Sequence, residues 1–200
     1  MHGAILVLSA ASFFVLPISA QSPIDVEDLA HHPFKAAFPS GGQLDLRIRS
    51  AEIHIVGSAD NRLAVHVGGK RGSTSTDVKA RFEQSGKHGE LQISGGPSSE
   101  LAITVVVPRD SSLFIRINAG DVEVKGVRGD KDVELHAGDL TIDVGDPADY
   151  AHVEASVTTG AIEASPFGES HGGMFRSFEK SGRGKYRLAA HVGAGDLTLR

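Results

Sequence analysis

Apolar and polar residues alternate in paired short runs along the chain, and the clearest pair begins at Ile115. Ile115 and Ile117 are followed by a four-residue turn and then by Val122 and Val124, and residues 133–142 repeat this pattern 18 positions later. Alternation with a period of two on both sides of a glycine turn predicts two half-buried β-strands joined by that turn. The pattern therefore predicts a strand–turn–strand unit that occurs twice in succession.

The same ten-residue phrase occurs three more times, so the chain contains five copies of it. The copies are named in chain order: copy 1 (46–55), copy 2 (115–124), copy 3 (133–142), copy 4 (155–164) and copy 5 (190–199). The third turn position is Gly in four copies and Ala51 in copy 1, and the fourth is acidic in four copies and Ala161 in copy 4. Five matches with one internal spacing indicate a true internal repeat.

Two geometries agree with this phrase. A two-residue hairpin turn would pair the two strands of one copy with each other. A β-arc would instead send them into different sheets, and the 18-residue step from copy 2 to copy 3 favours this arrangement, with copies stacked on one another. The most apolar stretch, residues 101–107, predicts a central strand that is covered on both faces.

Composition supports an all-β chain and excludes several classes of protein. The 200 residues suffice for one domain, and they include 24 glycines, few aromatic residues and no Trp. The net charge is −5, and basic and acidic residues are mixed along the chain, which argues against nucleic-acid binding. Cysteine is absent, so a disulfide, a thiolate metal site, a cysteine nucleophile and an acylated N-terminal cysteine are all excluded.

Residues 38–57, 101–142 and 182–200 carry a family resemblance. These phrases resemble the bacterial adhesin-like β-strand-repeat domain of unknown function, an auto-transporter-adhesin-like family of the cell envelope. The resemblance implies an all-β, right-handed β-solenoid or β-roll-like repeat domain with short strands and Gly-Asp turns. It transfers no catalytic residues, and the word adhesin itself reflects repeat architecture rather than a demonstrated activity.

The chain divides into three parts. Residues 1–20 read as a secretory signal peptide, with an apolar run over 3–16, a break at Pro17 and the small residue Ala20 at the cleavage point. Residues 21–33 form an extended leader, either mobile or lying against the domain. Residues 34–200 form a single β-repeat domain. We therefore expect an exported protein, periplasmic or extracellular, with no membrane span in the mature chain.

Three aspartates are the candidate metal ligands. Asp121, Asp139 and Asp196 follow the turn glycines, and stacked Gly-Asp turns bind calcium in β-roll proteins. The copies are too irregular for a ladder of calcium sites, so we favour the simpler interpretation that each carboxylate accepts a hydrogen bond from its own turn. No cofactor is predicted.

Candidate enzyme chemistry is weak. Residues 168–172 satisfy G-x-S-x-G but lack the helix that must follow a nucleophile elbow. Glu123 and Glu163 face outward as glycosidase carboxylates would, yet Thr141 and Thr198 share their column, as on a solvated sheet face.

Basic residues offer a possible interaction surface. Arg47, Arg116 and the loop pair Lys70-Arg71 are placed to engage acidic envelope polymers, although scattered solubilising charge is the favoured interpretation.

We expect a non-enzymatic cell-envelope or adhesin-like module that presents a binding surface to an envelope polysaccharide or a protein partner. Copy 5 is expected to leave a free edge that allows self-association. The alternatives are a carbohydrate-active enzyme on a β-helix scaffold and a calcium-stabilised extracellular module.

Overall fold

A computed structural model describes residues 22–69, 77–96 and 101–200 of the chain. The predicted signal peptide (1–20) and the pair Lys70-Arg71 therefore lie outside the described residues. The strands are β1 (Ile24–Val26), β2 (Phe34–Ala37), β3 (Gln43–Ser50), β4 (Glu52–Ser58), β5 (Arg62–Gly69), β6 (Lys79–Ser85), β7 (His88–Ser94), β8 (Leu101–Pro108), β9 (Ser112–Ala119), β10 (Val122–Lys125), β11 (Lys131–Ala137), β12 (Leu140–Ile142), β13 (Tyr150–Ala164), β14 (Glu169–Ser181), β15 (Tyr186–Ala194) and β16 (Leu197–Leu199). Two 3-10 turns, Pro147–Asp149 and Ser165–Phe167, flank β13.

The five copies are β-arcs rather than hairpins. The first strands of the five copies pair with one another in parallel and in register, as Leu46, Ile115 and Val133 do in adjacent strands, and β7 and β14 flank this row. The second strands form their own parallel row, in which Ile53 lies opposite Val122 and Val122 opposite Leu140. A hairpin would have paired the two strands of one copy in antiparallel fashion. Copy 4 makes its arc within the single long strand β13.

The spatial order of the copies differs from their order in the chain. The first strands run β3–β9–β11–β15–β13 and the second strands run β4–β10–β12–β16–β13. The stack therefore reads copy 1, copy 2, copy 3, copy 5, copy 4. The chain leaves a gap after copy 3, forms copy 4 and β14, and then returns to place copy 5 in the gap.

This order corrects the expectation that copy 5 presents a free edge. Strand β15 pairs with β11 on one side and with β13 on the other, and β16 lies between β12 and β13. Both strands of copy 5 are thus interior strands, and the proposed self-association through this copy loses its physical basis. The last copy in space is copy 4, and β14 covers its edge by antiparallel pairing along nearly all of β13.

The turn glycines allow the copies to approach each other closely. Gly138 has a φ of 125°, and a Cβ added there would lie 2.1 Å from the carbonyl oxygen of Gly120. Gly120, Gly195 and Gly160 make the same approach to the turn before them in the stack, which is Ala51, Gly138 and Gly195 respectively. Ala51 holds the third turn position of copy 1, which is the first of the five copies in the stack.

The core lies between the two rows of strands. Inward residues alternate with outward ones, as in β9, where Leu113, Ile115 and Ile117 are buried between half-buried neighbours. The branched aliphatic side chains of successive copies stack in columns, which is the packing that the alternation predicted. Strand β8 was expected to be covered on both faces, but it alternates in the same way, with Ala102, Thr104 and Val106 half-buried on the outer side.

Antiparallel strands close both ends of the stack. Beyond copy 1, β7 and β8 are parallel additions, and β6, β5, β2 and β1 then pair in antiparallel fashion. Residues 22–33, the predicted leader, lie against the domain: β1 pairs with β6, and Leu29 is fully buried. Phe34, Phe38 and Phe82 pack around this end of the core.

Candidate functional site

The aspartates that follow the turn glycines connect one copy to the next. Asp121 Oδ1 accepts the backbone N–H of Asp139 at 3.1 Å, and Asp139 Oδ1 accepts that of Asp196 at 2.9 Å. Asp196 Oδ1 accepts the N–H of Ala161 at 2.8 Å. Each carboxylate bonds the next turn in the stack, so the expectation that it would bond its own turn was wrong. Copy 4 is last in the stack, so no further turn needs an acceptor, and Ala161 replaces the acid.

These hydrogen bonds give the three aspartates a structural role. One carboxylate oxygen of each is already an acceptor for a backbone amide, and successive carboxylates belong to different turns. Across the described ranges 22–69, 77–96 and 101–200, no group of three or more His, Asp or Glu side chains gathers so as to hold a metal ion.

The outward carboxylates Glu123 and Glu163 are too far apart for paired glycosidase chemistry. Their strands are separated by β12 and β16, so their backbones lie about 14 Å apart at the usual strand spacing. Glycosidase carboxyl groups lie roughly 5–9.5 Å apart. The hydrogen bond from Lys125, with further support from His54 and Arg200, lowers the pKa of Glu123, whereas a general acid needs a raised pKa.

Two further sequence candidates have ordinary structural surroundings. Ser170 of the G-x-S-x-G motif lies within β14, directly opposite Glu163, with strand rather than helix after it. Arg47 lies 3.4 Å from Glu90, and Arg116 lies 2.9 Å from Asp132 and 3.2 Å from Glu134. Both guanidinium groups therefore form ion pairs along the outer face of the first strands.

A cleft of about 410 Å³ lies where the second strands end and the chain turns back. Its floor includes the buried residues Val127 and Val144. Its polar lining comes from successive return loops and consists of Arg109, Arg128, Asp143, Asp146, Asp149 and the rings of Tyr150 and Tyr186. The volume falls in the range of ligand-binding clefts, and no sequence pattern had singled this region out.

A buried lysine lies next to the cleft. Lys131 is 1% exposed and occupies a column of leucines, opposite Leu113 on one side and Leu188 on the other. Its Nζ donates to the carbonyl oxygen of Gly129 at 3.1 Å and to the hydroxyl of Tyr150 at 2.9 Å. Burial lowers the pKa of Lys131 to about 8, against the attraction of Asp130, Asp143 and Asp149. The repeat register could have revealed this residue, because the position two residues before each copy is apolar everywhere else.

Tyr150 joins this lysine to the cleft. The side chain is buried, lines the cleft and contacts Lys131 both through its hydroxyl and through its ring, 5.2 Å from Nζ. Burial, followed by the nearby charges of Asp149 and Asp143, raises the pKa of Tyr150 well above its usual value. The phenol therefore keeps its proton at ordinary pH and can donate a hydrogen bond.

Several polar groups of the cleft have no hydrogen-bond or ion-pair partner among the described residues. In the part of the chain that the structure describes, no hydrogen bond or ion pair involves the Arg109 guanidinium, the Asp149 carboxylate or the Tyr186 hydroxyl. The hydroxyl oxygen of Tyr150 accepts from Lys131, while its proton has no acceptor among the same residues. The cleft thus combines unused donors and unused acceptors, which is an arrangement suited to a polar ligand.

No protein-family model matches the chain, and no curated protein sequence matches it. Among solved structures, a protein from Clostridium sporogenes described as a "putative cell adhesion protein" matches with a TM-score of 0.50 at 13% identity, over 84% of this chain and 97% of that chain. A "putative adhesin" from Bacteroides fragilis matches with a TM-score of 0.34 at 10% identity, over 90% and 98%. The first likeness shows a shared fold, and the resemblance inferred from the sequence is supported at that level.

Within the described residues, no helix is long and apolar enough to cross a membrane.

Proposed function

We propose that this chain is an exported, non-enzymatic module of the bacterial cell envelope that acts as an adhesin does, by presenting a binding surface. The observation that carries the proposal is the fold likeness to the Clostridium sporogenes protein, which extends over 84% of this chain and 97% of that one. The coil of five stacked arcs is, in this proposal, a right-handed solenoid. The signal-peptide pattern of residues 1–20 supports the exported location.

The architecture supports a role in presentation. Antiparallel strands flank both ends of the stack, so the copies themselves present their outer faces rather than their edges. The first-strand face carries ion pairs such as Arg116 with Asp132, which solubilise it without creating a field of one sign. The candidate carboxylates for hydrolysis are widely separated, which favours binding over catalysis.

Co-sedimentation with envelope fractions tests the proposal. The purified chain is mixed separately with peptidoglycan sacculi and with outer-membrane vesicles, and a heat-unfolded sample serves as the control. We expect saturable binding to one fraction that is lost on unfolding. Binding to neither fraction would contradict an envelope-binding module, and equal binding by the unfolded sample would show that the folded surface is not responsible.

A salt titration of the same mixture locates the surface. Binding through exposed charges weakens as ionic strength rises, because the Debye length shortens to about 8 Å at physiological salt. The Arg47→Ala variant removes a guanidinium that lies 3.4 Å from the Glu90 carboxylate on the outer face. Reduced binding by this variant would place the contact on the outer face of the first strands.

A further inference from the structure

The cleft beside Tyr150 has the chemistry of a site for a neutral, polyhydroxylated ligand. We infer that it binds a saccharide, with Arg109, Asp149 and Tyr186 as the residues that contact the sugar hydroxyls and the buried Tyr150 beneath them. The inference rests on the proposed function, because it names the class of surface molecule that the envelope module would recognise.

The charge of the cleft lining favours a neutral ligand. Two arginines and three aspartates line it, so its formal charge is −1, and the buried ammonium of Lys131 lies beside them. A ligand with one strong charge would meet unfavourable groups on one side of the cleft. A sugar hydroxyl both donates and accepts, so it can satisfy the Arg109 donors and the Asp149 acceptors at once.

The apolar content of the cleft also fits a sugar. Val127 and Val144 give a small apolar floor, which is too little to bury a large apolar ligand. The half-buried Tyr186 supplies a ring that carries a hydroxyl, so it contacts the carbon side of a sugar and its hydroxyls together. Lys185 lies 5.2 Å from the centre of the Tyr186 ring and helps to hold it in position.

The floor of the site is preorganised. Lys131 fixes the Tyr150 oxygen by donating to it at 2.9 Å, and both side chains are buried, so the tyrosine beneath the cleft is held in one position. A rigid floor loses little conformational entropy when a ligand binds, which favours recognition by so small a site. This arrangement also gives the otherwise anomalous Lys131 a role in positioning Tyr150.

Saturation-transfer NMR with defined sugars tests the inference. The methyl glycosides of glucose, galactose, mannose and N-acetylglucosamine are titrated one at a time against the full chain. We expect saturable transfer to at least one glycoside. The Arg109→Ala and Asp149→Asn variants should weaken that binding about tenfold, as expected for the loss of a hydrogen bond that involves a charged group.

Matched controls separate the site from the rest of the surface. Arg62 and Asp60 form an exposed ion pair at the start of β5, so Arg62→Ala and Asp60→Asn make the same chemical changes away from the cleft. These controls should keep the affinity within about twofold. Arg109 and Asp149 are exposed, so their variants should fold, which circular dichroism verifies. The inference is wrong if no glycoside shows saturable transfer, or if the cleft variants bind as well as the controls.

The source of the glycan is a separate arm of the experiment. Peptidoglycan sacculi and mucin glycans are compared as competitors for the bound glycoside, and competition by one identifies bacterial or host glycan as the source. Envelope co-sedimentation without binding of any glycoside would refute the saccharide site and leave the proposed module intact. Glycoside binding without envelope binding would support the site and count against the envelope module.

Discussion

Different interactions hold the middle of the stack and its two ends together. In the middle, every turn lies between two others, so a glycine is needed for close approach and an aspartate for the bond to the next turn. The two exceptions in the phrase, Ala51 and Ala161, belong to the first and last copies in space. The glycine and the aspartate of the phrase therefore occur together where the turn lies between the turns of two other copies, and the two departures lie in the outermost copies.

At the ends, aromatic packing and antiparallel strands replace the contacts of the turn glycines and aspartates. At one end Phe82 packs against Phe34 and Phe38, with ring centres 5.4 and 6.4 Å away. At the other end β14 places Arg176 and Lys180 opposite the buried residues Val157 and Val153. Between these two charged residues, Phe178 lies opposite Ala155 and belongs to the core, so β14 covers the last copy with one apolar side chain and two charged ones.

The largest expected effect is the loss of a middle glycine. Gly138→Ala places a Cβ 2.1 Å from the Gly120 carbonyl oxygen at a φ of 125°, so we expect the free energy of unfolding to fall by at least about 3 kcal/mol. Gly145 also has a positive φ, of 67°, but an added Cβ would meet no atom within 4 Å. Gly145→Ala should therefore cost only about 1–2 kcal/mol in the same urea titration. Equal losses would show that the close approach is unimportant.

The next effect concerns the buried lysine of the middle. The pKa of Lys131 is about 8 in the folded protein and 10.5 ordinarily, so folding disfavours its charged form. That penalty is fully present below about pH 8 and disappears as the pH rises to about 10.5. The free energy of unfolding should rise by about 3 kcal/mol over this range. Lys131→Leu should remove the penalty and raise stability at pH 7 by about 1–2 kcal/mol, after the loss of its hydrogen bonds.

Paired unfolding curves at pH 7 and pH 10 check this prediction. The wild type should gain stability relative to Lys131→Leu between these pH values, and Lys35→Leu controls for the loss of one exposed charge. A variant that is less stable than the wild type at pH 7 would mean that the bonds to Gly129 and Tyr150 outweigh the cost of burial.

A smaller effect is expected in the aspartate column. Asp139→Ala removes the acceptor of the Asp196 amide and should cost about 1 kcal/mol. Ala161→Asp adds the consensus residue to the end copy, where no further turn can donate to it, and should change stability by less than about 0.5 kcal/mol. A gain in stability from Ala161→Asp as large as the loss from Asp139→Ala would contradict the assignment of copy 4 to the end.

The smallest expected effect is that of calcium. The three turn aspartates each use one carboxylate oxygen for an amide of the next turn, and within the described residues they do not gather with other carboxylates into a group that could hold a metal ion. We expect the melting temperature in millimolar calcium and in EDTA to agree within about 1 °C, because a ligand that does not bind the folded state does not stabilise it. A higher melting temperature in calcium would restore the calcium-stabilised alternative.

The sequence predicted local structure better than long-range order. Period-two alternation identified the strands and inward residues such as Ile115 and Val133, because each strand buries one face. The order of the copies was missed because nothing local distinguishes a neighbour in the chain from a neighbour in space. Ala51 and Ala161 carried that information, but reading it requires knowing what the turn glycine and aspartate contact.

The candidate cleft was largely invisible to sequence reasoning. Its residues come from separate return loops that have no common motif, so only the fold brings Arg109 and Asp149 to one cleft. Lys131, next to the cleft, was the one residue whose sequence position carried a signal, although the sequence-based predictions did not use it. A lysine in a column that is otherwise leucine or valine conflicts with the local pattern, and such conflicts are expected at functional sites.

Disulfide formation tests most directly whether copy 5 lies between copies 3 and 4. The natural chain has no cysteine, so any disulfide that forms within a variant must join the two introduced cysteines. Thr141 and Thr198 lie opposite each other in adjacent strands, whereas Glu163 lies one strand farther along. Neighbouring strands are about 4.8 Å apart, within the range that a disulfide spans, and alternate strands are about 10 Å apart. We predict that a disulfide forms in the Thr141→Cys/Thr198→Cys variant and that none forms in the Thr141→Cys/Glu163→Cys variant. The reverse result would show that the copies stack in chain order.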